Sequence, residues 1–281
     1  MLVARAACSA LAAVVWLAAA AVADAGPLVR ARGVPVLAGD RVLVADDFAR
    51  RDGRAVLRSV RISGGPVTRI AAVDRFVADP RSYMVWGGID ASASVVAAPV
   101  FLDSDDEGAT FPTEVLAGSP AGPLRRLAGG SDTPSQAWVE GERIVYAAPS
   151  GRAHRLAVYE GGATTSFEVP APSRSLDVAG DLVGFDSPDG RTVTVRNWRT
   201  GVDLWSVRFP QEVRTFRLRL DGAAAVVRGL TGKGGVVAVG PNGAVSAPLL
   251  RAPSGGYLFE LALDGDTVVV RREHGRGLAE L

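Results

Sequence analysis

A short phrase recurs along this chain and constrains its fold more than any other feature. The phrase is a Gly-Asp or Gly-Glu pair followed by a β-branched run, and clear copies begin at Gly39, Gly141, Gly180 and Gly265. Weaker copies at Asp90 and Asp221 bring the series to six, at intervals of roughly 40 to 50 residues. This interval matches the length of a four-stranded blade in a β-propeller.

The neighbours of each copy are those that a four-stranded antiparallel sheet needs. The copy at Gly180 follows a short apolar strand predicted over Ser175–Val178, and it precedes the turn Ser187-Pro188-Asp189-Gly190, a strong hairpin signal. A third strand is predicted over Thr192–Asn197 and a fourth over Val202–Phe209. Long helical patterns are absent after the first 25 residues, so the sequence predicts an all-β fold of six four-stranded blades.

The two ends of the chain suggest how such a series closes. In the fifth repeat the fourth strand is predicted over Ala244–Leu250. The last repeat has predicted strands at Tyr257–Leu263, Thr267–Arg272 and Leu278–Leu281, and it lacks a fourth. The segment Pro27–Arg32 precedes the first repeat and belongs to no blade of its own. We therefore expect this N-terminal strand to complete the last blade and close the ring, whereas the alternative is an incomplete last blade.

Residues 1–25 have the pattern of a secretory signal peptide. Arg5 supplies a weak positive region, an apolar run continues to about Val22, and small residues offer cleavage after Ala23 or after Ala25. We expect export to the periplasm or the exterior, with residues 26–281 forming one propeller domain and no membrane span after cleavage. An uncleaved membrane anchor is the alternative interpretation.

Charge and cysteine content exclude several classes of function. The 281 residues include 31 basic and 30 acidic side chains, so no strong overall field attracts nucleic acid or an anionic membrane. Cys8 is the only cysteine and lies inside the predicted signal peptide. The mature chain therefore has no disulfide, no thiolate zinc site and no cysteine nucleophile.

Two blade signatures resemble known families. The Gly39-Asp40-Arg41-Val42 type of repeat start and the hairpin at 187–190 resemble blades of the TolB-like six-bladed propellers, a family of bacterial exported proteins. The resemblance extends weakly over the whole mature chain and implies protein–protein contacts at the cell envelope. Residues 198–205, with Thr200-Gly201 and Leu204-Trp205, also resemble a single pyrroloquinoline-quinone-type repeat. One copy indicates a shared blade architecture and not the cofactor, so we expect no cofactor.

One acidic loop is not explained by the repeats. Asp103, Asp105, Glu107 and Glu114 fall at positions 1, 3, 5 and 12 of an EF-hand-like loop, with Gly108 at position 6. The segments on both sides of the loop are predicted to be strands, and a proline interrupts the loop. The sequence favours a solvated acidic loop, because carboxylates repel one another unless a cation compensates them. A Ca²⁺ site formed by these four carboxylates is the alternative.

The residues available for catalysis are few. His154 and His274 are the only histidines, which excludes a three-histidine zinc site, and no G-x-S-x-G motif is present. We therefore expect no enzymatic activity. If the chain acts on glycans instead, paired carboxylates such as Asp46, Asp47 or Asp186 near the centre of the propeller are the candidates.

Three functions thus remain open. The first is a monomeric, non-enzymatic interaction module at the cell envelope, which we favour because a propeller has two loop-covered faces. The second is a calcium-dependent carbohydrate-binding or adhesion protein, and the third is a secreted glycan-active enzyme. Nucleic-acid binding is not expected, since Arg214, Arg217 and Arg219 alternate along a predicted strand and form one solvated face.

Overall fold

The computed structural model describes 12 segments of the chain. They are residues 35–46, 54–74, 83–86, 88–103, 113–130, 136–150, 153–170, 175–229, 234–251, 256–264, 267–274 and 278–280. Every regular element in these segments is a β-strand, as predicted. Among these residues no helix is long and apolar enough to cross a membrane. The predicted signal peptide and the segment Pro27–Arg32 lie outside the described residues.

The chain divides into two compact units, and the first comprises residues 1–150 and 155–166. Its described residues form three antiparallel sheets. The first sheet has the order β1-β2-β3-β4, with β1 Val36–Ala38, β2 Arg41–Asp46, β3 Arg54–Arg61 and β4 Thr68–Asp74. The second has the order β5-β7-β8-β9, with β6 also paired to β7; the strands are β5 Tyr83–Trp86, β6 Asp90–Ala91, β7 Val96–Asp103, β8 Thr113–Gly118 and β9 Arg125–Gly130. The third has the order β10-β11-β12-β13, with β10 Gln136–Glu140, β11 Arg143–Ser150, β12 Ala153–Glu160 and β13 Ala163–Pro170.

The second unit comprises residues 151–154 and 167–281, so it includes the last residues of β13. Its first sheet has the order β14-β15-β16-β17, with β14 Leu176–Ala179, β15 Leu182–Asp186, β16 Thr192–Asn197 and β17 Asp203–Arg208. The next has the order β18-β19-β20-β21, with β18 Val213–Leu218, β19 Ala224–Arg228, β20 Gly235–Val239 and β21 Leu250–Arg251. The last described sheet has three strands, β22 Gly256–Asp264, β23 Thr267–His274 and β24 Leu278–Glu280.

The recurring glycine of the sequence repeat makes the tight turn between the first two strands of a sheet. Gly39, Gly141 and Gly180 have φ angles of +62°, +58° and +59°. In each case only two residues separate the last paired positions of the strands. A two-residue hairpin of type II′ needs a positive φ at its first central residue, which glycine adopts without steric cost. The Gly-Asp and Gly-Glu pairs are therefore turn signals, as predicted.

Two positions differ from the predicted strands. The weak repeat at Asp90 has a longer turn, in which the Ser92 N–H donates to the Val95 carbonyl at 2.8 Å. The fourth strand predicted over Ala244–Leu250 was mostly wrong, because only β21 is regular there and Val245 makes one isolated bridge. The segment bonds to β20 only through separate hydrogen bonds, from the Ser246 N–H to the Ala238 carbonyl and from the Leu249 N–H to the Val236 carbonyl. Pro248, which lies between these two donors, has no N–H to add to the ladder.

Each unit buries its own apolar side chains between adjacent sheets. In the first unit, Leu43, Leu57 and Val96 are among the residues that pack together with at most 1% exposure. In the second unit, Phe216 of β18 is 1% exposed and belongs to a cluster that also contains Trp205 and Val195. Burial of this kind is the main favourable contribution to the stability of a chain without disulfides.

Buried or half-buried aspartates connect neighbouring sheets within each unit. In the first unit, the Val139 N–H donates to Asp90 Oδ2 at 2.8 Å. In the second unit, the Leu218 N–H donates to Asp177 Oδ2 at 2.7 Å, and Asp177 is 5% exposed. Each carboxylate thus satisfies a backbone donor on the next sheet, which fixes the position of one sheet against the other.

Candidate interaction surface

The structure describes part of the acidic loop considered from the sequence. Asp103 is the last residue of β7, and Glu114 is the second residue of β8, in register with Val100. The Oε1 atom of Glu114 lies 3.5 Å from Arg126 Nε. Asp105 and Glu107 lie outside the described residues. No group of three or more His, Cys, Asp or Glu side chains that could hold a metal occurs among the residues described. The calcium alternative therefore stays a prediction.

The other candidate residues fall at strand ends. His154 lies in β12 and His274 ends β23. Asp46 ends β2, Asp47 lies outside the described residues, and Asp186 ends β15. Asp186 is 1% exposed, and its Oδ1 accepts a hydrogen bond from the Ser175 N–H at 3.0 Å. This contact gives Asp186 a role in holding the start of β14 against the end of β15.

The three alternating arginines lie along β18 and the turn that follows it. Arg214 Nη2 lies 3.3 Å from Glu212 Oε2, and Arg219 Nη2 lies 3.2 Å from Asp221 Oδ2. Arg217 Nη1 lies 3.9 Å from Asp177 Oδ1. The side chains are between 34% and 43% exposed, in keeping with the predicted solvated face, and each has a carboxylate beside it.

A surface that the sequence did not reveal occurs at one edge of the second unit. We call it the turn patch and define it by five residues: Phe167, Trp198, Val202, Leu204 and Leu220. The rings of Phe167 and Trp198 are stacked, with centroids 5.0 Å apart and planes 7° from parallel. The Trp198 Nε1–H donates to the Gly180 carbonyl at 3.2 Å. The aromatic part of the patch is therefore held in one orientation at the Gly180 turn.

Arg199 completes this aromatic arrangement. Its guanidinium carbon lies 4.3 Å from the centroid of the Trp198 ring, and its Nε lies 2.9 Å from Asp181 Oδ1. A cation over an indole ring is attracted by the ring quadrupole. Arg199 therefore joins the Trp198 ring to the turn at Gly180-Asp181, and its charge is balanced by Asp181.

The aliphatic part of the turn patch continues from the same edge. Val202 is 60% exposed, Leu204 is 39% exposed and Leu220 is 67% exposed. Gly222 lies beside Leu204, since a Cβ added at Gly222 would fall 2.9 Å from Leu204 Cδ2. Leu220 precedes Gly222 in a turn whose Gly222 N–H donates to the Arg219 carbonyl at 3.0 Å. Leu204 therefore lies against the turn that contains Leu220, and all three aliphatic side chains face solvent at this edge.

The second tryptophan of the same sequence motif has a different role. Trp205 is 6% exposed, and its Nε1–H donates to the Gly222 carbonyl at 2.8 Å. It packs with the apolar cluster between the two sheets. The motif at 198–205 thus supplies one tryptophan for the core and one for the surface.

Comparisons with known proteins agree with the sheet arrangement. The chain matches no protein-family model, and no curated protein is significantly similar to it. Several solved structures are similar. BamB from Moraxella catarrhalis has a TM-score of 0.51 at 18% identity, over 87% of this chain and 70% of that chain. The β-propeller domain of the trilobed protease from Pyrococcus furiosus has a TM-score of 0.61 at 9% identity, over 88% of this chain and 77% of that chain.

An acylaminoacyl peptidase from Pyrococcus horikoshii is similar as well, with a TM-score of 0.60 at 11% identity. The match covers 86% of this chain and only 41% of the peptidase, so this chain spans about two fifths of that protein. At these identities the likeness concerns the fold alone. Together with the four-stranded antiparallel sheets, it shows that the chain is an all-β protein with a β-propeller fold, as predicted. The six-blade count and the TolB-like assignment stay predictions.

Proposed function

We propose that this chain is a non-enzymatic exported propeller that binds a protein partner at the cell envelope through the turn patch. The observation that carries the proposal is the exposure of Val202 and Leu220, at 60% and 67%, at the same edge of the second unit as a fixed aromatic stack. Exposed aliphatic side chains around an oriented aromatic ring are typical of the centre of a protein–protein interface.

The distribution of exposed apolar side chains supports this location. Among the described residues, the large exposed hydrophobic side chains number two in the first unit and five in the second. Those of the first unit are Leu37 and Val67. Three of the five in the second unit belong to the turn patch. Covering such a patch with a partner is favourable, because it removes apolar surface from water.

The chemistry of the patch favours a protein over a sugar. Sugars bind to open aromatic faces and to polar side chains that accept and donate hydrogen bonds. Here the Trp198 ring is already in contact with Phe167 and with Arg199, and Val202, Leu204 and Leu220 offer no hydrogen bonds. Shape-matched apolar side chains of a protein fit such a surface better.

Export to the envelope is supported by other features. The pattern of Arg5, the apolar run and the small residues before position 26 predicts a cleavable signal peptide. The resemblance of the repeat starts to TolB-like propellers also fits an envelope protein. We therefore expect the partner to be exposed to the periplasm or the exterior.

Affinity capture with matched variants tests the proposal. The full chain, the variant Val202→Asp/Leu220→Asp and the control Leu37→Asp/Val67→Asp are each used to capture proteins and glycans from an envelope extract. We expect the chain and the control to retain the same discrete protein, and the patch variant to retain it at least about tenfold less, as at an interface centre. The control removes two exposed apolar side chains from the first unit, so it accounts for nonspecific adhesion.

The proposal is wrong if all three proteins capture the same set, because the turn patch would then play no part. Retention of bulk glycan without a discrete protein would instead favour the carbohydrate-binding or glycan-active alternatives. Circular dichroism spectra of the two variants should match that of the unmodified chain, since all four positions are exposed and surface substitutions seldom disturb a fold.

A further inference from the structure

Arginines collect at the strand ends of the second unit that lie opposite the turn patch. We call this set the arginine edge and define it by Arg191, Arg208, Arg214, Arg228 and Arg251. Arg191 follows the turn at Gly190, and Arg208 pairs in register with Thr192. These two residues therefore lie at the end of the sheet formed by β14 to β17, far from the turn at Gly180.

The other three arginines lie at the matching end of the next sheet. Cα partners run from Val213 to Arg228, from Arg228 to Gly235, and from Gly235 to Arg251. Arg214 is next to Val213 in the chain. Neighbouring strands are about 4.8 Å apart, so this row spans roughly 15 Å across one end of the sheet.

Contacts between the two sheets bring both groups together. The Val213 N–H donates to the Gly190 carbonyl at 2.6 Å, next to Arg191. A Cβ added at Gly190 would lie 2.9 Å from Glu212 Cγ, and Glu212 Oε2 lies 3.3 Å from Arg214 Nη2. The five arginines thus belong to one continuous edge of the second unit.

The edge has more positive than negative charge at its surface. Among the described residues its solvent-accessible carboxylates are Asp189 and Glu212, which lie 2.9 Å from Arg208 Nη1 and 3.3 Å from Arg214 Nη2. Asp186 is also at this edge, but it is buried. Arg191 and Arg251 are exposed, and the guanidinium groups of both form no ion pair within 4.0 Å among the residues that the structure describes. The backbone N–H of Arg191 donates to Asp189 Oδ1 at 3.1 Å.

Existing contacts show which chemistry fits between these arginines. Asp189 and Glu212 already lie beside Arg208 and Arg214, so side-chain carboxylates are accommodated at this edge. Half-buried Arg228 donates from Nη1 to Gln211 Oε1 at 2.9 Å, which holds its guanidinium against the edge. Guanidinium groups bind carboxylates in a planar, often bidentate arrangement. The two resident carboxylates would repel nucleic acid or a sulfated glycan more than an acidic peptide, because those polymers carry more negative charge per unit length.

We propose that the arginine edge is a second binding surface, which takes an acidic peptide segment of a protein partner. Such a segment places its carboxylates on the guanidinium groups of Arg191 and Arg251, which form no ion pair among the described residues, and extends across the edge between them. The overall charge of the chain is close to zero, so the attraction is local to this edge and does not extend to the turn patch. This proposal does not depend on the turn patch.

Fluorescence anisotropy with a labelled ten-residue poly-glutamate peptide tests the proposal on the full chain. The variant Arg191→Gln/Arg208→Gln/Arg251→Gln removes three charges from the edge. The matched control Arg199→Gln/Arg217→Gln/Arg219→Gln removes three charges near the turn patch. We expect the edge variant to bind the peptide at least roughly tenfold more weakly and the control to bind within about twofold of the unmodified chain.

Binding should also weaken as salt is added, because exposed charges are screened within about 8 to 10 Å at physiological ionic strength. The proposal is overturned if the unmodified chain does not bind poly-glutamate, or if both triple variants lose affinity equally, since the effect would then be one of total charge. The proposal is also overturned if heparin binds more tightly than poly-glutamate and the edge variant loses the heparin binding. The edge would then be a site for a sulfated glycan. Equal melting temperatures of the three proteins show that the substitutions leave the fold intact.

Discussion

Gly184 is the position at which one added carbon should disturb the second unit most. It lies in β15, and a Cβ there would fall 2.6 Å from Phe216 Cε2 and 3.1 Å from Leu218 Cδ1. Phe216 is 1% exposed and is enclosed by the apolar cluster between the sheets, so its ring has no free space to move into. Overpacking of this kind typically costs about 1 to 3 kcal/mol, so Gly184→Ala should lower the free energy of unfolding by that amount.

Urea unfolding followed by tryptophan fluorescence measures this effect, because Trp205 lies in the same apolar cluster. Gly88→Ala is the control, since a Cβ there would lie 3.8 Å from Gln136 Cγ, an ordinary contact, and should change stability by less than about 0.5 kcal/mol. Phe216→Leu should cost less in the Gly184→Ala background than in the unmodified chain, because the smaller side chain relieves the clash. A Gly184→Ala variant as stable as the unmodified chain would refute the reasoning.

Three further predictions concern single groups. Asp177→Ala should destabilise the second unit by about 1 to 3 kcal/mol in urea unfolding, because it leaves the buried Leu218 N–H without its acceptor. An unchanged free energy of unfolding would contradict the role of Asp177 as that acceptor. The hydrogen bonds from Ser187 and the Arg191 N–H, together with Arg208, lower the pKa of Asp189 from 3.8 to about 2. A lowered carboxyl pKa adds stability above pH 3.8, and this stability is lost as the pH falls towards 2. The variant Asp189→Asn should therefore make the melting temperature less sensitive to acid over this range. An unchanged dependence of the melting temperature on pH would contradict the lowered pKa of Asp189. Millimolar Ca²⁺ should leave the melting temperature unchanged if the acidic loop is solvated, whereas an increase that Glu114→Gln abolishes would establish the calcium alternative.

The regular parts of the blades could be predicted because their signals are local. Thr192–Asn197 was predicted as a strand with the bounds of β16, since alternating valines and a Pro-Asp-Gly turn act over a few residues. The segment 244–250 was not, because its valine and leucines suggested a strand, while Pro248 and the local turns prevent one.

The turn patch could not be predicted, because exposure depends on how neighbouring sheets pack. Trp198 and Trp205 lie in one motif of the sequence. Trp205 is buried because the Gly222 carbonyl and the adjacent sheet cover it, whereas Trp198 lies at a turn and remains half-buried. The arginine edge could not be predicted for the same reason, since its members are brought together by strand register and by the contact between Gly190 and Val213.

Site-specific photo-crosslinking in cells tests the central claim most directly. A photoreactive amino acid is placed at Val202, which is 60% exposed in the turn patch, and in parallel at Val67, which is 45% exposed in the first unit. The account predicts a discrete crosslinked protein from position 202 and none from position 67. Absence of any crosslink at position 202, or the same products from both positions, would contradict the assignment of the turn patch as the surface that binds a protein partner.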